Sequence, residues 1–459
     1  MSQAKMLQPG EARCPGPSTK DIILSDGWKV PDELVAESYR FLGDADIPYE
    51  RYTSQAFFDL EMQKLWPRVW QWACREEQIP EAGDYVVYDV GYHSIVVVRT
   101  EELGIKAFYN ACLHRGTKLA ASYSQGSVNQ FRCSYHGWTW SLDGQLEDIP
   151  CRWDFPHVKD EDYQLPEVKV ATWGGFVFIN MDLDAKPLEE QLGVLPDHFA
   201  NWPLDERYTV LHVQKELPCN WKAAQEAFLE AYHVVETHAQ GLPTSGDANA
   251  QYDVFCDTVT RFVHTIGYPS PHYTKPISQQ EILELMTMTL TDNTLKVGEG
   301  ETARSVAAQY MRESFGKEWK VDLSRYSDSE MLDSIEYHLF PNMFLFPGIS
   351  LPMIYRFRPL GMNVDRSLFD LVFLRPKPEN GDTPPEPPEP YRIGVEDSYA
   401  TVPGMSEGLG FVYDQDTMNL KMQQEGFSAS RGKRGQTLGN YQEIRMRNIH
   451  RMIDQYLDE

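Results

Sequence analysis

The chain has 459 residues, 42% of them hydrophobic and with ordinary Gly and Pro, which is globular composition with room for two or three domains that each bury a core. Its 42 basic residues against 68 acidic ones give a formal charge of −26, which argues against nucleic acid or an anionic membrane as partner, because nothing supplies a phosphate-neutralising surface. No apolar run reaches membrane-spanning length, the N-terminus lacks a signal-peptide core, and seven Cys are an odd number, so the expectation is a soluble, cytoplasmic protein.

Residues 1 to about 30 carry loop signals (Pro9-Gly10, Pro15-Gly16-Pro17) and read as an arm or tail. Apolar spacing predicts helices over Pro31–Leu42 and Ser54–Trp66, the second capped by Thr53 or Ser54 and stopped before Pro67. Residues 1–67 are thus expected as an arm and helices packing on a larger domain. Short β-type runs follow at Tyr85–Val90, Ser94–Arg99, Lys106–Tyr109 and Phe131–Cys133, predicting a small β unit over 68–170.

The loops of that unit carry Cys112-x-His114 and, after eighteen intervening residues, Cys133-x-x-His136. Two thiolates for one iron and two imidazoles for the other make the ligand set of a Rieske [2Fe–2S] centre, whose neutral imidazoles raise its reduction potential above that of an all-Cys cluster. A Cys2His2 zinc site uses the same residue types, but zinc sites tend to keep Cys with Cys and His with His. Cys14, Cys74, Cys151, Cys219 and Cys256 are read as free thiols, mostly buried.

Trp173–Met181 is apolar enough for a buried strand and is expected to mark the start of a second domain over 171–459. Helical patterns at Leu188–Leu195, Trp221–Tyr232, Gln279–Thr289 and Thr302–Phe315 precede strands at Ser334–Phe346, Met353–Arg358 and Ser367–Arg375, an order that predicts an α+β domain with an antiparallel sheet packed on helices. Pro376–Pro390 is proline-studded and belongs on the surface. Asn440–Leu457 opens with the capping pattern Asn440-x-x-Glu443 and continues as an amphipathic terminal helix.

Within Trp221–Tyr232 and just beyond it lies Glu230-x-x-His233-x4-His238. Two imidazoles plus a carboxylate form the facial triad of non-haem Fe(II) oxygenases. At about 100° per residue Glu230 and His233 lie roughly 60° apart on a helix while His238 is about 140° from His233, so the helix must end or bulge between the two His, and Gly241 and Pro243 favour an ending. The third ligand is expected far along the chain. In the stretch GFVYDQDTMNLKMQQEGFS we place it at Asp416, with Asp414 as the alternative and a helix-capping acid as the bland role of either.

Both motifs, His-Arg-Gly and Gly-Trp after the two Cys/His half-sites, and Asp416-x-x-Asn419 resemble the large (α) subunit of the Rieske non-haem iron oxygenases, the aromatic ring-hydroxylating oxygenases. The resemblance implies a small all-β Rieske domain plus a helix-grip catalytic domain, a mononuclear Fe(II) held by His233, His238 and Asp416, and a head-to-tail homotrimer, with or without a small β subunit. In that ring a carboxylate at Glu230 would bridge one subunit's cluster to its neighbour's iron. Many family dioxygenases have Asp there, whereas Glu occurs in branches that include carnitine-type monooxygenases, so dioxygenation and monooxygenation both stay open. Electrons would come from NAD(P)H through a separate reductase, directly or by way of a ferredoxin, because the chain has no Gly-rich dinucleotide fingerprint. The implied activity is hydroxylation with O2 of a hydrophobic, aromatic or polycyclic small organic molecule, its wall drawn from Met286, Met288, Phe340, Met343, Phe344 and Phe346. The alternatives are a monooxygenase or demethylase acting on a carnitine-like or steroid-like substrate, an electron-transfer Rieske protein without oxygenase activity, and a zinc-stapled binding module.

Overall fold

Val, Ile and Tyr dominate Asp84–Val90 and His93–Arg99; their branched or planar side chains suit a pleated surface, and the two runs pair antiparallel with Val87 opposite Val96. They belong to the smaller of two compact units in a computed structural model that describes residues 7–287 and 294–458. That unit is built mainly from Gln55–Gln191, the larger one from Leu192–Arg358 and Val364–Gln455 together with the N-terminal arm up to Ser54.

The smaller unit holds a seven-stranded sheet in the order Gln71–Arg75, Phe176–Asn180, Glu167–Trp173, Ile105–Tyr109, His93–Arg99, Asp84–Val90, Gln125–Ser127. A three-stranded sheet of Phe131–Arg132, Thr139–Trp140 and Leu146–Asp148 shares its core, in which Val96, Val98 and Phe108 pack with Trp138, Trp140 and Leu142. Phe176–Asn180 is buried throughout but does not open the larger unit: its residues pair on one edge with Gln71–Arg75 and on the other with Glu167–Trp173.

The larger unit is organised on an eight-stranded sheet in the order Ser245–Val254, Val259–Ile266, Ser334–Leu339, Met343–Leu345, Met353–Pro359, Ser367–Pro376, Arg207–Leu217, Tyr391–Ile393. The run expected as one strand over Ser334–Phe346 is two strands that turn at Phe340–Asn342 and pair with each other, His338 opposite Phe344. The terminal helix Ile444–Asp458 buries Ile444, Ile449 and Ile453, and its Arg445 reaches two strands of the sheet, 2.7 Å from Glu336 and donating to Thr260 Oγ1 at 3.1 Å. This helix starts later than Asn440 because the Glu443 carboxylate takes the Gly439 N–H at 2.5 Å and not that of Asn440.

The N-terminal arm carries the helix Thr19–Ser25, opened by the capping box of Ser18 and Asp21, and Asp26, just past it, pairs with the buried Arg304 at 2.7 Å. The helix expected over Pro31–Leu42 is a single turn, Asp32–Val35; beyond it Ser38 donates its N–H to Asp253 at 2.7 Å and accepts that of Val254 at 2.6 Å, so the sheet takes the backbone groups a helix would need. The helix beginning at Gln279 is followed to Thr287, and the predicted remainder at 288–289, with the wall residue Met288, lies outside the described residues. Cys151 is exposed and Cys14 and Cys256 are half-buried, so the Cys outside the two Cys/His motifs are less buried than expected, because these three fall on loops. Among the described residues no helix is long and apolar enough to cross a membrane.

Candidate metal centres

In the smaller unit the two half-sites are one turn used twice. The Cys112 N–H donates to Thr117 O and the Cys133 N–H to Trp138 O, both at 2.8 Å, while the N–H four residues after each Cys, of Gly116 and Gly137, returns to the Cys carbonyl at 2.9 Å. Both Gly have left-handed backbone (φ +80° and +76°), a conformation that favours glycine. Each turn aims amide N–H groups at sulfur: those of His114 and Arg115 at Cys112, those of Tyr135 and His136 at Cys133. Burial pushes the Cys112 thiol up; at Cys133 burial acts the same way but the amides outweigh it and hold the thiol below its usual range. The two thiols touch, and the two imidazoles form a second pair with ring centroids 4.6 Å apart, His114 stacked on Trp138. His114 Nδ1 is buried with no hydrogen-bond partner. Burial and the neighbouring His136 and Arg115 hold its imidazole below the usual value, which keeps it neutral and able to donate a lone pair.

In the larger unit the buried helix Trp221–Glu226, capped by the Asn220 side chain, stops before Glu230. A continuing helix would join the His233 N–H to Leu229 O. Here Leu229 O accepts from Arg445 Nη1 at 3.1 Å, the Ala231 N–H donates to Tyr252 Oη at 2.9 Å, and the His233 N–H donates to Glu230 Oε2 at 2.9 Å. Side chains have replaced the helical ladder, so the predicted helix over Trp221–Tyr232 ends early and Glu230 and His233 share no helix face. One helical turn, Val234–Thr237, follows, with His233 and His238 at its two ends.

That turn brings the imidazoles together, ring centroids 5.3 Å apart, with Asp416 Oδ1 lying 2.6 Å from His238 Nε2 and 3.5 Å from His233 Nε2. One ligand atom from each of His233, His238 and Asp416 lies within 4.8 Å of the others, a set that could hold a metal ion. Burial pushes the Asp416 carboxyl up, but the bonds to His233 and His238 prevail and keep it ionised below its ordinary value. His233 shows the reciprocal effect: burial disfavours its cation, yet Glu230 and Asp416 raise it to about 10. The site is therefore built to hold positive charge. Asp414, two residues earlier on the helix Glu407–Met418, is engaged elsewhere, accepting from the Ser398 hydroxyl and, at 3.0 Å, from the Tyr399 N–H. Glu230 Oε1 is 2.8 Å from His233 Nδ1, and the carboxylate lines a cavity of about 200 Å³ with Glu226, His233, Asp416, Gln436 and Glu443. Of the expected wall residues, Phe344 and Phe346 are buried against Tyr355, whose hydroxyl bonds Tyr413 at 2.6 Å.

A Rieske [2Fe-2S] domain model matches residues 69–159, and a model of the ring-hydroxylating alpha subunit catalytic domain matches 198–459, more than half of the chain. The chain belongs to the Rieske ring-hydroxylating oxygenase α subunits. This α subunit is 34% identical over 198 residues to the biphenyl 2,3-dioxygenase subunit alpha of Rhodococcus jostii (42% of this chain, 43% of that one), and 28% identical over 231 residues to the glycine betaine monooxygenase oxygenase subunit of Pseudomonas aeruginosa (49% and 52%). The matches thus span about half the length of these curated relatives. Its fold is that of the quaternary ammonium Rieske monooxygenase CntA, solved with L-carnitine, at a TM-score of 0.61, 19% identity and coverage of 92% of this chain and 99% of that one.

The α subunit's cofactors are a Rieske [2Fe–2S] cluster and a mononuclear iron, and its residues fit both. The thiol pair, the imidazole pair and the orphaned His114 Nδ1 suit a cluster whose two irons take different ligands. The convergence of two imidazoles and one carboxylate suits an iron with positions left open. Sequence reasoning missed the residues that shape the second site. Glu226 accepts from Tyr52 Oη and meets His450 Nε2, each at 2.8 Å, Arg445 holds Leu229, and Gln415 bonds His238. The contacts to Glu226 span 174 and 224 residues, distances at which no local pattern carries a signal.

Proposed function

We propose that the α subunit is the terminal oxygenase of an O2-dependent hydroxylating system, with Cys112, His114, Cys133 and His136 holding the cluster and His233, His238 and Asp416 holding the iron. The observation that carries this is the convergence of His233, His238 and Asp416 in a chain that also holds a pair of touching thiols and a pair of neighbouring imidazoles. When bound, the two groups supply one-electron transfer and reductive activation of O2. The chain's own residues prepare for it. The amides around Cys112 and Cys133 stabilise charge on sulfur, Glu230 orients His233 through Nδ1, and the buried Asp416 balances a cation with little water to screen it. Glu230 also faces an open cavity, a placement suited to bridging toward the cluster of a neighbouring copy in a head-to-tail trimer. The reducing partner is an NAD(P)H-dependent reductase, acting directly or through a ferredoxin, and an odd number of Cys, two of them assigned to the cluster, favours a reducing compartment.

The substrate is a small organic molecule, and the primary reading is a hydrophobic, aromatic one. A second reading, monooxygenation of a quaternary ammonium or other non-aromatic compound, is favoured by Glu at position 230 and by the glycine betaine monooxygenase relative. The reconstituted chain should be brown and carry about three irons. Assay with biphenyl and with glycine betaine under labelled O2 separates the readings: two labelled oxygens in an arene diol support the first, and a dealkylated amine with one labelled oxygen in the aldehyde released supports the second. Glu230→Gln should keep both metals and lose coupled turnover. Turnover of neither substrate class by a fully metallated protein would sink the oxygenase reading.

A further inference from the structure

We infer that Gln415 is a positioning residue that dictates which nitrogen of His238 faces the metal, an inference that rests on His233, His238 and Asp416 being the iron site. Thr237 O, a carbonyl at the end of the single turn Val234–Thr237, can only accept, so the Gln415 atom 2.9 Å from it is Nε2. The other amide atom, 3.0 Å from His238 Nδ1, is therefore the oxygen. An amide oxygen has no proton to give, so His238 Nδ1 carries the hydrogen, and in the neutral ring Nε2 keeps its lone pair. Nε2 is thereby the nitrogen that faces Asp416 Oδ1, 2.6 Å away, on the side where an ion shared with the carboxylate would sit.

The two imidazoles are thus oriented differently. His233 Nδ1 rests on a carboxylate, Glu230, and His238 Nδ1 on a neutral amide. A carboxylate behind an imidazole makes it the more basic ligand; an amide fixes the ring and tautomer while adding no charge. The amide also ties the iron-ligand helix Glu407–Met418 to the turn bearing His238 through a second bond, so the two ligands on either side of it move together.

The test uses the full chain with its cluster in place and reads Co(II) and Fe(II) affinity by equilibrium dialysis, with the Co(II) ligand-field spectrum as a readout of geometry. Gln415→Met removes both the acceptor facing His238 and the donor facing Thr237, whereas Gln415→Glu keeps the acceptor and removes the donor. The expected result is a 10- to 100-fold loss of affinity and an altered Co(II) spectrum in Gln415→Met, the effect typical of removing a ligand's orienting partner, with Gln415→Glu within about threefold of the parent. Equal losses in both variants would assign Gln415 to packing of the turn and overturn the inference. Parental affinity in Gln415→Met would overturn it too, provided Asp416→Ala binds no metal. Should Asp416→Ala bind metal as well as the parent, the iron site itself has been misread.

Discussion

Cys112, His114, Cys133 and His136 sit on two copies of one turn, joined by eighteen residues and closed by bonds that each turn makes to itself. His238 and Asp416 stand 178 residues apart, and the segment bearing Glu230 and His233 takes its shape from Arg445 and Tyr252, which belong to other elements. The first site is local in construction and the second is assembled. Local hydrogen bonds form without long loop closure, whereas the second site needs the sheet, the terminal helix and the helix Glu407–Met418 in place before His233, His238 and Asp416 meet.

The largest test of that contrast removes one centre at a time. Cys133→Ser should strip the two cluster irons and the brown colour and leave about one iron per chain, while His238→Ala should leave about two irons and the full cluster spectrum. Activity should vanish in each. If the proposed head-to-tail ring forms, coexpressing the two variants should restore about a quarter of the parental rate, since random assembly would place a sound cluster beside a sound iron site at about one interface in four. No restoration would mean that electrons stay within a chain.

A clamp remote in sequence should matter to the assembled site alone. Arg445→Met leaves Glu336 buried without its cation, a loss of about 3–5 kcal/mol for a broken buried pair, and frees Leu229 O. Burial already pushes Glu336 up to about 7 against the pull of Arg445. The expected outcome is a lower melting temperature and loss of the mononuclear iron with an unchanged cluster spectrum. A cluster lost in parallel would show that the two sites are not independent.

The smallest effect is one of pH. Burial lowers His264 to about 4, with Ser245 Oγ 2.7 Å from its Nε2. The folded state keeps this ring neutral where the unfolded chain protonates it, so unfolded chain binds the extra proton between the two values. Stability is full above about pH 6.5 and falls as the pH drops toward 4, by up to about 3 kcal/mol. Urea denaturation at pH 7.5 and 5 should show the loss, and His264→Gln should flatten it; a slope that survives the substitution assigns it to other groups.

Both metal motifs were legible from residue type and spacing, because Cys-x-His and Cys-x-x-His demand ligands from one short turn, and because Glu-x-x-His-x4-His could not serve one ion from a straight helix. The break in that helix was foreseen, but it was placed between the two His and not before Glu230. Periodicity reports which residues suit a helix and says nothing of a guanidinium or a phenol arriving from elsewhere to take the backbone's hydrogen bonds.

The amino-acid sequence alone determined the α+β class and the two cofactors, a Rieske [2Fe–2S] cluster and a mononuclear iron, since these follow from side-chain identity and local spacing. Tertiary structure set Asp416 beside His238 and Asp414 against Ser398 and Tyr399, ended the helix at Glu226 and set Gln415 against His238. Those outcomes depend on which polar group finds a partner in space, and a buried donor or acceptor must be satisfied wherever in the chain that partner happens to lie.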